Sequence, residues 1–359
     1  MKLKISIADR SIGYDIGDIM NIKDKEFIFD GFGVSGREDE VKSGIEAFAK
    51  DRVNEIIYDT TGSLICVKEG KGKEPKKIML SAHMDTIGFI VTFIDEKGFI
   101  RFSEVGFQPV AYILGKRVKF ENGAIGVVGI EKAVDIDKRG FTSNLKKEKM
   151  FIDIGADSRE EALKQVKIGE TGAVFSPYAV TENVITGGWM DDRIGCFVLL
   201  EVMEKLKSNP DTVYFVFSSQ EEVGLRGART TAYRLQPDVG LAVDVTGSSD
   251  LPENDVTGSA VMGKGAAIKV MDRGVIVQRV LVDYLIDLAE KNRIPYQKDV
   301  LAFGATDAHS IQLSKSGTLA GGISIPARYI HSAGEMCSLH DIKACIDLTL
   351  KFCESKFDL

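Results

Sequence analysis

The stretch SSQEEVGLRGA at residues 218–228 sets two acids, Glu221 and Glu222, side by side just after the apolar run TVYFVF (212–217). Adjacent residues of an extended segment face opposite ways, so the two carboxylates can do different work. Related groups recur elsewhere. His83 and Asp85 lie two apart in AHMDT, after the run KIMLS, where both side chains can emerge on one side. Asp191 and Asp192 sit in GGWMDDRIG, Asp244 in VDVTG, and His331 in IPARYIHSAGEM. Each has an ordinary reading alone: an Asp at a helix start is most often a cap, and a single His after a strand is most often structural. Together, two imidazoles and several carboxylates suit zinc, cobalt or manganese, with one carboxylate bridging a two-metal site.

These groups meet only if the chain brings the ends of its elements to one edge. Residues 183–359 alternate helix and strand patterns: helix 191–209, strand 212–217, helix 225–235, strand 239–245, helix 278–293, strand 319–327 and helix 339–356. Ahead of them come a helix pattern at 38–52, a strand pair at 55–70 and a strong strand at 77–83. That alternation predicts an α/β fold with a doubly wound sheet, whose carboxyl-terminal strand ends share one ligand-binding edge. From 88 to 182 short strands and glycine turns take over, with one helix at 158–167 whose Ser158 and Glu161 have capping-box spacing. The expected organisation is an α/β domain of residues 1–87 and 183–359, interrupted by a β-rich module of residues 88–182.

Composition narrows the class. A chain of 359 residues exceeds the usual single core, so about two domains are expected. Hydrophobic residues at 44% and charged residues at 28% describe an ordinary soluble protein. The net charge of -7, without a basic stripe, argues against nucleic acid as a partner. No apolar stretch reaches the roughly 18–20 residues needed to span a bilayer. The opening MKLKISIADRSIGYD lacks a continuous apolar run and meets Asp9 early, so it does not read as a signal peptide. Five scattered cysteines without metal-ligand spacing read as buried thiols in a reducing, cytoplasmic protein.

The motifs AHMDTIGFIV, MDDRIG, SSQEEVGLRGA, LAVDVTG and ISIPARYIHS, in this order, resemble the TET-type di-metal aminopeptidases, some of which carry the label cellulase or endoglucanase. The likeness runs from about residue 30 to the end. It implies a zinc-peptidase-like α/β domain interrupted by a PDZ-like or β-barrel-like dimerisation domain, often within a tetrahedral dodecamer. It also implies two divalent metal ions, zinc or cobalt with manganese as an alternative, acting on peptide substrates. By the resemblance, Asp191 bridges the metals, His83 and Asp244 hold one, and Glu222 and His331 hold the other. Glu221 is then the general base and Asp85 the partner of His83. This chain departs from the family in having Gly188 and Trp189 where a Lys-Ala pair is usual, and Thr86 where an acid often follows the H-x-D motif. Thr306 and Asp307 match the family's Thr-Asp step, whereas His309 and His340 read as non-ligands.

Three rival readings follow from the residues. GFGVSGRE (31–38) contains GxGxxG but follows only a short apolar stretch, so it reads as a turn before a helix. Glu221 and Asp244 could serve as the carboxylate pair of a glycoside hydrolase, which would leave His83, Asp191 and His331 without work. A non-catalytic assembly protein would not need every ligand position filled.

Overall fold

The computed structural model describes residues 20–131, 136–137, 140–141, 145–252 and 258–358. The reading of the first fifteen residues lies outside them. Four parallel strands form the centre of an 11-stranded mixed sheet, in the order Thr212–Ser218, Lys77–His83, Val239–Gly247 and Leu319–Arg328. These strands are apolar on both faces because helices cover both. Ile78, Leu80 and Ala82 pack towards the helices Met190–Lys205 and Leu339–Glu354. Met79 faces the other way, towards Ala232 and Leu235 of helix Arg226–Leu235 and Ile311 of helix Asp307–Gln312. The sheet is therefore doubly wound and mixed, as the alternation predicts.

Antiparallel strands finish the sheet. Leu64–Lys68 and Glu55–Tyr58 extend it beside Thr212–Ser218, while Glu335–Ser338 and Val184–Gly187 extend it beyond Leu319–Arg328. A branch, Ala266–Met271 paired with Tyr296–Val300, also leans on Leu319–Arg328. The sequence reading contains neither strand of this branch: AAIKVM lacks alternation, and YQKDV is an edge strand with polar faces.

Helix Met190–Lys205 is buried continuously from Met190 to Met203, which explains an apolar pattern without a polar stripe. Its first turn is irregular, since Asp191 and Asp192 have non-helical backbone angles. Register then sets the depth of the acids and His83. Ser218 pairs with His83, and Ala242 pairs with Ser81, so Asp244 falls level with His83. Strand Val239–Gly247 also runs two residues past the expected end, which makes Asp244 an in-strand residue.

Between His83 and Met190 the chain builds a closed six-stranded antiparallel barrel: Met150–Asp153, Ile100–Val105, Gly88–Ile94, Thr171–Val174, Arg117–Phe120 and Ile125–Ile130. Alternate residues fill its interior, including Phe89, Val91, Ile100, Val118, Phe120, Val128 and Ile152. The helix at its side, Arg159–Gln165, is capped as its spacing predicts. Ser158 Oγ accepts the Glu161 N–H, although the Glu161 carboxylate takes the Asp157 N–H rather than that of Ser158.

Candidate metal centre

His83 closes its strand, and its Nε2 lies 3.1 Å from Asp191 Oδ1, 3.9 Å from Glu221 Oε2 and 3.9 Å from Asp244 Oδ1. Across Asp191, His331 Nε2 is 3.4 Å from Asp191 Oδ2 and 3.3 Å from Glu222 Oε2. Asp191 thus presents one carboxylate oxygen to each imidazole. The residues singled out in five separate segments share one place at the carboxyl ends of the parallel strands. His309 and His340 stand apart: His309 Nδ1 faces the Gly274 carbonyl, and His340 lies 3.4 Å from Asp341 Oδ1.

Asp85 is in the cluster, but its carboxylate is not mainly a hold on His83. His83 Nδ1 is 3.0 Å from the Asp85 main-chain carbonyl and 3.6 Å from the side chain. The carboxylate instead accepts the N–H of Glu221 at 2.9 Å, the N–H of Glu222 at 3.1 Å and the Ser35 hydroxyl at 2.6 Å. It therefore sets the peptide from which both glutamates project. An Asn at this position would turn an N–H towards one of those amides. Leaving a buried donor unpaired costs about 1–3 kcal/mol, so Asp85→Asn should lower kcat about 10–100-fold while bound metal stays near the wild-type count. Steady-state kinetics beside elemental analysis checks this.

Other carboxylates near the cluster escaped the sequence reading as site residues. Asp192 accepts the His83 N–H at 3.2 Å and the Gly195 N–H at 3.0 Å, which ties the helix start to the strand end. Asp307 accepts hydroxyls from Ser81 and Ser218, both at 2.6 Å, beneath the cluster. Glu38 accepts the Gln220 N–H at 3.1 Å, next to Glu221. Glu335 accepts the Asp191 N–H at 3.0 Å and the His331 N–H at 2.7 Å. The GxGxxG segment follows a helical turn, Phe27–Asp30, rather than a strand, and it delivers Ser35 and Glu38 to these contacts. Buried Arg193 pins that segment by donating to the Ile28 and Gly31 carbonyls. Trp189 packs with Phe32, Val34, Ala173 and Phe175 and lines a pocket shared with His331, Gln108 and Tyr112.

Electrostatics set these groups against one another. Burial, reinforced by neighbouring carboxylates, pushes Glu221 well above the ordinary carboxylate range, and Asp244 up to about 8. Burial also lifts Glu222 and Asp192. Burial opposes protonation of His83 and His331, yet Glu221 and Asp191 raise His83, while Asp191 and Glu222 carry His331 up to about 11. The cluster gathers more negative charge than two imidazoles can balance, so it calls for cations.

The donor set fits divalent metal. Bonds of about 2.0–2.2 Å to a tetrahedral ion would set neighbouring donors roughly 3.3–3.6 Å apart, and the separations here run from 3.1 to 3.9 Å. Glu222 also has a buried oxygen, Oε1, without a hydrogen-bond partner. Two overlapping groups have donors mutually within 4.8 Å: His83 with Asp191 and Glu222, and His83 with Asp192 and Asp244. In the second group both Asp192 oxygens already accept main-chain N–H groups, so Asp244 is the better donor.

Imidazoles and carboxylates buried together at the carboxyl edge of a doubly wound sheet are the donor set that metal-dependent hydrolases use. The chain belongs to the M42 glutamyl aminopeptidase family, which matches residues 62–348. A putative aminopeptidase of Acetivibrio thermocellus is 45% identical over 319 residues, covering 89% of this chain and 94% of that protein. A TET aminopeptidase structure from Thaumarchaeota archaeon SCGC AB-539-E09 superposes with a TM-score of 0.89 at 33% identity, covering 94% and 96% of the two chains. The TET1 peptidase of Pyrococcus horikoshii, which can assemble into a tetrahedron or a large octahedral shell, gives 0.83 at 30% identity over 94% and 99%. The protein is a peptidase of the aminopeptidase class, and the glycoside hydrolase reading gives way to that membership.

Proposed function

We propose that this chain is a two-metal aminopeptidase that removes N-terminal residues from peptides. The observation that carries the reading is Asp191 offering one oxygen to each of two imidazoles, each with further carboxylates at hand. His83 and Asp244 would hold one ion, Glu222 and His331 the other, and Asp191 would bridge them. When bound, zinc, cobalt or manganese would supply Lewis-acid polarisation of the scissile carbonyl and a lowered pKa for the attacking water. Glu221, buried and not assigned as a ligand, takes the water's proton and returns it to the leaving amine. Asp85 holds Glu221 in place through its main-chain N–H. The adjacent glutamates thereby divide proton transfer from ligation.

The same reading divides the chain into a catalytic domain of residues 1–87 and 183–359 and a barrel-bearing insert of residues 88–182. Self-association up to a tetrahedral dodecamer is supported by the assembly of related TET1 peptidase structures, and the insert would carry the dimer contact. A cytoplasmic location is supported by five free, buried cysteines. No described helix is long and apolar enough to cross a membrane.

A panel of aminoacyl-p-nitroanilides with added Co²⁺ or Zn²⁺, run beside a soluble cellulose substrate, tests the activity. The expected outcome is metal-dependent release from one or a few aminoacyl substrates and none from the glucan. Two bound metals without any aminoacyl cleavage would sink the substrate class and leave the assembly reading standing.

A further inference from the structure

Glu335 lies outside the assigned ligand set, yet it touches the main chain of two ligands. Its two carboxylate oxygens are divided between them: Oε2 accepts the Asp191 N–H at 3.0 Å, and Oε1 accepts the His331 N–H at 2.7 Å. The two amides belong to segments about 140 residues apart, one at the irregular start of helix Met190–Lys205 and one in the loop after strand Leu319–Arg328. Neither segment is positioned by ordinary helix or strand geometry. Asp191 has non-helical backbone angles, and His331 has φ +63°, a left-handed conformation that a side chain other than Gly rarely adopts unless held there. Glu335 itself is 3% exposed, on the strand Glu335–Ser338 that pairs with Val184–Gly187 and Leu319–Arg328. A rigid sheet element therefore anchors both loops through one side chain.

We infer that Glu335 is a positioning residue that sets the distance between Asp191 and His331, and so weighs more on the His331–Glu222 metal position, two of whose ligands it holds, than on the His83–Asp244 position, which shares only Asp191. The inference rests on the two-metal reading above. The His83–Asp244 position has its own supports: Asp192 takes the His83 N–H, and strand register places Asp244. Loss of Glu335 leaves those intact. An acceptor on each oxygen is what the job requires. Gln in its place keeps one carbonyl oxygen but turns an N–H₂ towards the other amide, so one of the two links is lost. Partners that orient metal ligands commonly account for about 10–100-fold in affinity, and a loss of that size is expected at one ion, with a smaller change at the other through the shared Asp191.

The test is a calorimetric titration of Co²⁺ into chelator-stripped full-length wild type, Glu335→Gln and Glu335→Ala, with stoichiometry from elemental analysis. Circular dichroism establishes that each variant is folded. Wild type should bind two ions. Glu335→Gln should bind one ion close to wild-type affinity and the other about 10-fold less well, with kcat recovering as Co²⁺ is raised. Glu335→Ala should be weaker still at that one ion, and Glu335→Gln decides alone if the alanine variant does not fold. Two unchanged affinities in Glu335→Gln, or both ions weakened equally, would overturn the inference. A wild type that binds fewer than two ions would instead overturn the two-metal reading on which it rests.

Discussion

Replacing Glu221 by Gln is expected to lower kcat about 10²–10⁴-fold, the usual worth of a positioned general base, while bound metal stays unchanged. The geometry supports so selective an effect. Glu221 Oε2 stands 3.9 Å from His83 Nε2, the same separation as Asp244 Oδ1, and faces one imidazole where Asp191 faces both. Its main-chain N–H is fixed by Asp85, and Gln preserves that bond together with the side-chain length. What Gln cannot do is accept a proton. Kinetics on the best aminoacyl substrate, with elemental analysis of the same preparation, separates the roles. Metal loss in the variant would make Glu221 a ligand, and retained turnover would pass proton transfer to another carboxylate.

Stripping the metal with a strong chelator should abolish turnover and lower the melting temperature, by about 5–10 °C. A ligand at 100 times its dissociation constant stabilises the folded state by about 2.7 kcal/mol, so two ions supply roughly 5 kcal/mol. Proteins of 150–250 residues shift by about 2–4 °C per kcal/mol, and a longer chain by somewhat less. The direction follows from the charge imbalance already described. Burial and mutual repulsion act against ionised Glu221, Glu222, Asp192 and Asp244. Without ions the folded chain bears that repulsion, and the unfolded chain does not. Scanning calorimetry before and after chelation, then after returning Co²⁺, is the measurement. An unchanged melting temperature with unchanged activity would remove metal from the site altogether.

The sheet was legible because its central strands are apolar on both faces and its helices carry clear periodicity, as with Lys77–His83 and Arg279–Asn292. The cluster was legible because His83, Asp191, Glu222 and His331 stand at or just beyond the ends of elements, with Asp244 inside its strand, and because five motifs kept their order. Asp85 reads in the sequence as the partner of His83, but its carboxylate accepts main-chain amides 136 and 137 residues away, which no spacing reveals. Glu335, Asp192 and Glu38 were missed as site residues for the same reason. A carboxylate that accepts N–H groups from a distant loop leaves no spacing in the sequence. The one available hint for Glu335 is an acid entering a buried strand, EMCS, four residues after His331. The strand Tyr296–Val300 was hidden by polar residues that suit an edge.

The barrel enters the chain at Gly88, five residues after His83, and the chain rejoins the main sheet and leaves strand Val184–Gly187 four residues before Asp191. Its Gly106 lies close to Glu222, and the exposed Phe107 ring sits 6.3 Å from the His331 ring. Both splice points for exchanging this module with that of a relative therefore lie within five residues of a proposed metal ligand. A chimaera made there transplants residues beside the candidate site along with the barrel. Under the proposed self-association through the insert, one recombination at these two joints would change assembly and the surroundings of the site together.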